Sequence, residues 1–328
     1  HQTLTSSFEE VKVLPGFNNV FLACRAEGSL FDDWRTLVAR LEARGISTQF
    51  VNENFLPERL SSLRVTLLKE AISAKARRTN HDLNPICYFY NSILWSKQFK
   101  SLEKSVMLFL SRVQARWLIG AIGLLFFLLF LLPVSFGSRS SNLALGAIFV
   151  AGFTGIFVEI IVVLSFQIFY GYVYSMIGLI FTLFMLGLAL GALIIQKRAV
   201  KRKISFGALT RVQLFQVLLI ISLLVLTWVL SETSPSGPAV MIVLLLLMTA
   251  SGLLGGVEFV LANHLFLRRR TTLKAGTGYA VDLFGASFSS LLASALLVPI
   301  LGIPSTLIAL LLVNLICLGY LLVFSRAA

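Results

Sequence analysis

Residues 143–196 read LALGAIFVAGFTGIFVEIIVVLSFQIFYGYVYSMIGLIFTLFMLGLALGALIIQ. Two apolar runs flank a short aromatic and glycine turn, Phe169 to Tyr174. A membrane helix needs roughly 20 apolar residues, and each run meets that length. The first run carries one carboxylate, Glu159, near its middle. The second ends in Gly187 and Gly191, four apart, and then in a burst of Lys and Arg.

The same grammar recurs outward from this stretch. Seven apolar runs are expected to cross a bilayer: Trp117–Phe136, Leu143–Ile168, Tyr172–Gln196, Leu209–Leu230, Pro238–Leu267, Gly278–Ile300 and Pro304–Phe324. In lipid every backbone group must be paired within its own segment, so each run is expected to be a helix. The composition agrees. The chain has 328 residues, 57% of them hydrophobic and only 13% charged, with a mean hydropathy of +0.87. This is the balance of a membrane protein.

Loop charge predicts orientation. Arg139 follows the first run. Lys197, Arg198, Lys201, Arg202, Lys203 and Arg211 lie between the third and fourth. Arg268, Arg269, Arg270 and Lys274 lie between the fifth and sixth, and Arg326 follows the seventh. By parity these loops share one side, expected to be cytoplasmic. The opposite loops, Ser231–Pro238 among them, carry no Lys or Arg. The C-terminus is then cytoplasmic, and residues 1–115 fall on the extracytoplasmic side; the basic join at Lys97–Arg116 argues against that placement, and the alternative is that Trp117–Phe136 does not span. The formal net charge of +13 thus reads as topology and anionic lipid headgroups; basic patches interleaved with aromatics for nucleic acid are absent.

Ahead of the runs lie a segment of mixed character, residues 1–96, and a basic join, residues 97–116. In the segment, Val11–Pro15 and Asn19–Ala26 read as a hairpin about Gly16-Phe17-Asn18. Phe31–Arg44 reads as a helix closed by Gly45, Thr48–Val51 as a short strand, and Glu58–Ala76 as a second helix. Thr79–Trp95 opens with turn residues and becomes apolar and aromatic. In the join, Lys97, Lys100, Lys104, Arg112 and Arg116 surround Val106–Leu110, the pattern of an interfacial amphipathic helix, with a solvated linker as the alternative. Cys24, Cys87 and Cys317 have neither metal spacing nor even number and are expected as free thiols.

The hairpin, Gln49–Asn52 with Leu56-Pro57, and Asn80-His81-Asp82 with Pro85 and Tyr88 resemble, in order, the C-terminal part of the spermidine synthase-like (polyamine aminopropyltransferase) domain. The membrane runs resemble the multi-span module fused to such domains in bacteria, on Gly152–Glu159, Leu186–Leu193 and Gly278–Gly285. The resemblance implies part of a Rossmann-like class I methyltransferase fold, a bacterial inner membrane, and aminopropyl transfer with decarboxylated AdoMet as co-substrate. It also implies that the cofactor site and catalytic aspartate belong upstream of the hairpin. The expectation is therefore a chain without the catalytic half, holding no cofactor itself and completed by an N-terminal half or another subunit. Asp82 does not inherit the catalytic role; its ordinary reading, with Asn80, is turn chemistry.

The acids within the runs are Glu159, Glu258 and Asp282. Charge in hydrocarbon is expensive, so such residues face a cavity or a partner. Three carboxylates suit a proton or an organic cation such as a polyamine, with Gln167, Asn263, His264 and Asn314 as hydrogen-bonding neighbours. The plainer reading makes them structural, protonated or helix-bonded. Gly187/Gly191, Gly252/Gly256 and Gly285/Ser289 are small-xxx-small pairs, expected to bring helices close. No catalytic triad, P-loop, zinc spacing or haem motif is present. Three functions stay open: an aminopropyltransferase-like membrane protein, a non-catalytic scaffold subunit of a larger complex, and a transporter of small cations.

Overall fold

The computed structural model describes residues 1–16, 18–73, 79–96, 114–131, 139–171, 174–199, 204–233, 237–267 and 275–325. The interfacial helix read at the join, the end of the helix read to Ala76, and the loop cations of 200–203, 268–274 and Arg326 lie outside the described residues. Contacts divide the chain into two units, His1–His81 and Asp82–Ala328.

The N-terminal unit opens with a helical turn, α1 (Gln2–Thr5), followed by β1 (Glu10–Leu14) and β2 (Val20–Cys24). The strands pair antiparallel, with Glu10 opposite Cys24 and Leu14 opposite Val20. The expected strand at Thr48–Val51 does not form. Thr48 folds back instead: its Oγ1 donates to the Val51 carbonyl at 2.6 Å and accepts from the Val51 N–H at 3.1 Å. A side chain that satisfies the local backbone competes with a sheet ladder. The Rossmann-like layer implied by the resemblance is therefore not built among the described residues; its sheet is the two-stranded hairpin alone.

Helix α2 (Trp34–Ala43) begins three residues later than the apolar spacing predicts. Asp33 sets the start by accepting the Thr36 N–H at 3.0 Å, and Gly45, at φ +64°, closes the other end. The Thr36 backbone bond, aided by the Thr36 hydroxyl, holds the Asp33 carboxyl below its ordinary value. A lowered carboxyl adds stability above the unfolded value of about 3.9 and loses it as pH falls through the folded one. Asp33→Ala is thus expected to lower the melting temperature at pH 7, and the difference from wild type should shrink below about pH 3.9. A difference that persists in acid would remove the carboxylate from the cap.

The second helix of this unit is broken in two, α3 (Leu56–Arg59) and α4 (Ser62–Ser73). Helix α5 (Ile86–Ser96) belongs to the second unit, with Ile86 and Phe89 buried in its core.

The described elements of the second unit are helices. It comprises α6 (Ala115–Leu131), α7 (Arg139–Tyr170), α8 (Tyr174–Ala199), α9 (Phe206–Thr233), α10 (Pro238–Leu267), α11 (Ala275–Leu291), a π-helical turn (Leu292–Leu297) and α12 (Val298–Ser325). Among the described residues, five helices are long and apolar enough to cross a membrane: Ser140–Tyr170, Met176–Lys197, Phe206–Glu232, Pro238–Leu267 and Gly276–Val323. The chain is a helical polytopic membrane protein. Its outward face is apolar, with Phe181, Leu186 and Leu190 on α8 and Phe215, Leu218 and Trp228 on α9 exposed. Such faces are satisfied by lipid.

The expected set of seven separate runs is not what forms. Among the described residues the first run gives the 17 residues of α6, and 132–136 lie outside them. The last two give one helical stretch of 48 residues. That stretch is interrupted at Gly302, at φ 77° and ψ 170°. Only glycine enters this backbone region freely. The Ile303 N–H, freed there, donates to the Leu83 carbonyl at 2.8 Å, just ahead of α5. Beyond the break the chain reverses: α11 runs parallel to α7, with Phe149 against Phe284 and Phe153 against Phe288, whereas α12 returns alongside α6, with Leu312 near Gly123 and Tyr320 near Phe127.

Candidate functional site

The helices meet at small residues, and this positions everything polar. A Cβ at Gly187 or Gly191 of α8 would strike the α10 backbone at Thr249 O and Leu253 O. One at Gly252 or Gly256 of α10 would strike the α8 backbone at Phe184 O and Leu188 O. The two pairs interlock, and the helix axes approach as only glycine allows. On α11, a Cβ at Gly285 would strike Phe149 O of α7, and Ser289, one turn on, is fully buried.

Two acids are sealed within the module. Glu159 on α7 is 3% exposed and Glu258 on α10 is 1% exposed. Among the described residues, Oε1 of each has no hydrogen-bond partner. Among the described residues, the ion pairs of the chain all lie in the N-terminal unit, so no Lys or Arg neutralises either acid. Asp282 of α11 is half-buried; its backbone oxygen lies against Gly152 of α7, and its Oδ1 would be 2.7 Å from a Cβ placed there. Glu258 is within electrostatic reach of both Asp282 and the buried thiol of Cys317 on α12.

Beside these acids runs an amide chain. Asn314 of α12 donates from Nδ2 to Thr154 Oγ1 on α7 at 2.9 Å and to the Leu310 carbonyl at 3.0 Å. Gln213 of α9 donates from Nε2 to Asn314 Oδ1 at 2.9 Å. Thr154, Gln213 and Asn314 are all fully buried. Asn314→Leu would strip Thr154 and Gln213 of their partner at once. Intramembrane side-chain bonds are worth about 0.6 kcal/mol on average and up to about 1.7. The variant is therefore expected to lose roughly 2 kcal/mol, read as a lower melting temperature in detergent. An unchanged melting temperature would mean that the chain of amides carries no stability.

Of the sequence-predicted residues, Glu258 lies within electrostatic reach of Asp282, and Asn314 belongs to the amide chain. Asn263 sits lower on α10, its Oδ1 against Gly278. Gln167 and His264 are exposed, near the ends of α7 and α10. Thr154, Gln213 and Cys317 complete the polar core; none was expected there from sequence, where Cys317 was read only as a free thiol. Gln213 carried a signal, an amide inside an apolar run; Thr154 and Cys317 carried none. No group of three metal-ligating side chains occurs among the described residues. In the N-terminal unit a shallow cleft is lined by Gly16, Phe50, Phe55 and Arg59, with Arg64 donating to Glu58 at 2.9 Å beside it. Comparison with protein-family models, curated proteins and solved structures finds no match.

Proposed function

We propose that the helical module binds a small cation within the membrane and carries it across. One observation bears the reading: Glu159 and Glu258 are sealed in the core, each with an oxygen that no described residue hydrogen-bonds. A carboxyl group at this depth costs about 2.5–3.5 kcal/mol on insertion scales. A structural acid would be expected to recover that cost through a cation or a donor. A cation that visits the site recovers it only when bound, which is what a transport site requires.

The topology we infer counts seven crossings. α6 spans about 25 Å at 1.5 Å per residue, close to the thickness of the hydrocarbon layer. Gly302 divides Gly276–Val323 into two arms, each long enough to cross. The cation-rich loops then share the cytoplasmic face, and Gly302, with Leu83 beside it, faces the outside. Placement in a bacterial inner membrane, and a polyamine as the cation, follow from the resemblance to spermidine synthase-like proteins. Aminopropyl transfer, implied by the same resemblance, would need a decarboxylated-AdoMet site that a partner or another segment supplies.

The test is flux. The full chain is reconstituted into sealed liposomes; labelled spermidine uptake is followed in one arm and proton movement, by an internal pH dye, in the other. Movement of either cation above protein-free liposomes is expected. If neither moves, the reading fails.

A further inference from the structure

The helix pairings repeat. α7 packs on α11 and α8 on α10; α7 meets α10 and α9 meets α12; α9 meets α10 and α12 meets α7. Exchanging α7 with α10, α8 with α11 and α9 with α12 returns the same set of pairs. The match holds residue by residue. Gly187 faces Thr249 O and Leu253 N, while Gly285 faces Phe149 O and Phe153 N. Positions 187 and 285 differ by 98; positions 149 and 249, and 153 and 253, differ by 100. Gly152 faces Asp282 O, while Gly252 faces Phe184 O, and the same two offsets recur.

The two copies run in opposite directions. Tyr170, at the end of α7, donates to the Gly237 carbonyl at the start of α10 at 2.8 Å. At the other end, Ile148 of α7 and Asn263 of α10 both meet Gly278. Two like units of opposite direction are related by a twofold axis lying in the membrane plane. In proteins built this way, solute sites lie near the midplane where the units meet. Those two end pairings put the axis close to Thr154, the residue bonded to Asn314. Glu159 and Glu258 then stand on opposite sides of it. Each is roughly four residues away, ~6 Å along its own helix.

We propose that α7–α9 and α10–α12 are inverted copies of one three-helix unit, and that the cation occupies two half-sites about their axis. Glu159 forms the half-site on the Tyr170 side; Glu258, with Asp282, forms the one on the Lys197 side. The half-sites rest on the transport reading above; the repeat does not. The halves are unequal: by the same offsets Glu159 matches Phe259, Glu258 matches Val158 and Asp282 matches Phe184, so the two glutamates are one position out of register and the Lys197-side half-site holds two carboxylates where the other holds one.

The full chain is prepared with Cys24→Ser, Cys87→Ser and Cys317→Ala, and Glu159→Cys or Glu258→Cys is added. Each is reconstituted into sealed liposomes and exposed, on one face at a time, to a membrane-impermeant trimethylammonium-ethyl thiosulfonate. This reagent is itself a small cation. Modification, read by mass spectrometry, is expected several-fold faster from the Tyr170 face for Glu159→Cys and several-fold faster from the Lys197 face for Glu258→Cys. Wild-type protein treated on one face with a water-soluble carbodiimide gives the same readout if a variant misfolds, since adducts then map to Glu159 or Glu258. Both positions modified from one face, or neither showing a preference, overturns the half-sites even where uptake is seen. Opposite preferences without uptake support the repeat and remove the transport reading together with the cation half-sites that rest on it.

Discussion

Gly256→Ala is expected to unfold the helical module at markedly lower temperature, while Gly255→Ala, one residue away, is expected to raise the melting temperature slightly. A Cβ at Gly256 would collide with the Leu188 carbonyl, which is backbone and cannot rotate away; a Cβ at Gly255 would meet nothing within 4 Å. Relieving the collision requires α8 and α10 to separate along their whole interlocked seam. Overpacking of this kind costs about 1–3 kcal/mol. In a module of this size each kcal/mol moves the midpoint by about 2–4 °C. At Gly255 only helix propensity changes, and alanine is favoured over glycine by up to about 1 kcal/mol. Thermal denaturation of both variants in one detergent checks the pair. If they shift in the same direction, the seam does not hold the helices as described.

Glu258→Gln carries the second large effect. Cation flux in liposomes is expected to fall to the protein-free level. The melting temperature is expected to hold or rise, because an amide of the same shape does not bear the cost of a carboxylate in hydrocarbon. This combination separates function from structure. An acid that braced the fold would lose stability on becoming Gln, as Asn314→Leu does when its partners are stranded. Undiminished flux, or a clear fall in melting temperature, would return Glu258 to the structural reading. Asp282→Asn is expected to act in the same direction but less completely, because Asp282 is only half-buried.

Apolar periodicity told much of the fold in advance and little of the site. The long helices follow from runs such as Leu143–Ile168, since such a run has no other stable form in lipid. The break at Gly302 was legible as the boundary between two runs, because a glycine followed by Pro304 opposes a straight helix. The strand read at Thr48–Val51 failed because the Thr48 hydroxyl captured its own backbone, a local competition that propensity does not weigh. Glu258 and Asp282 were each visible as acids, but their neighbourhood was not. They stand on different helices, and helix order in sequence does not fix which helices touch.

What the sequence determined by itself is the solvent of each segment. Chain length in hydrocarbon and unpaired backbone groups admit only helices there. What only the tertiary structure decided is the pairing. Seams such as Gly187 with Leu253 and Gly285 with Phe153 are set by close backbone approach between distant residues. From those seams come the opposed halves and the amide chain through Asn314.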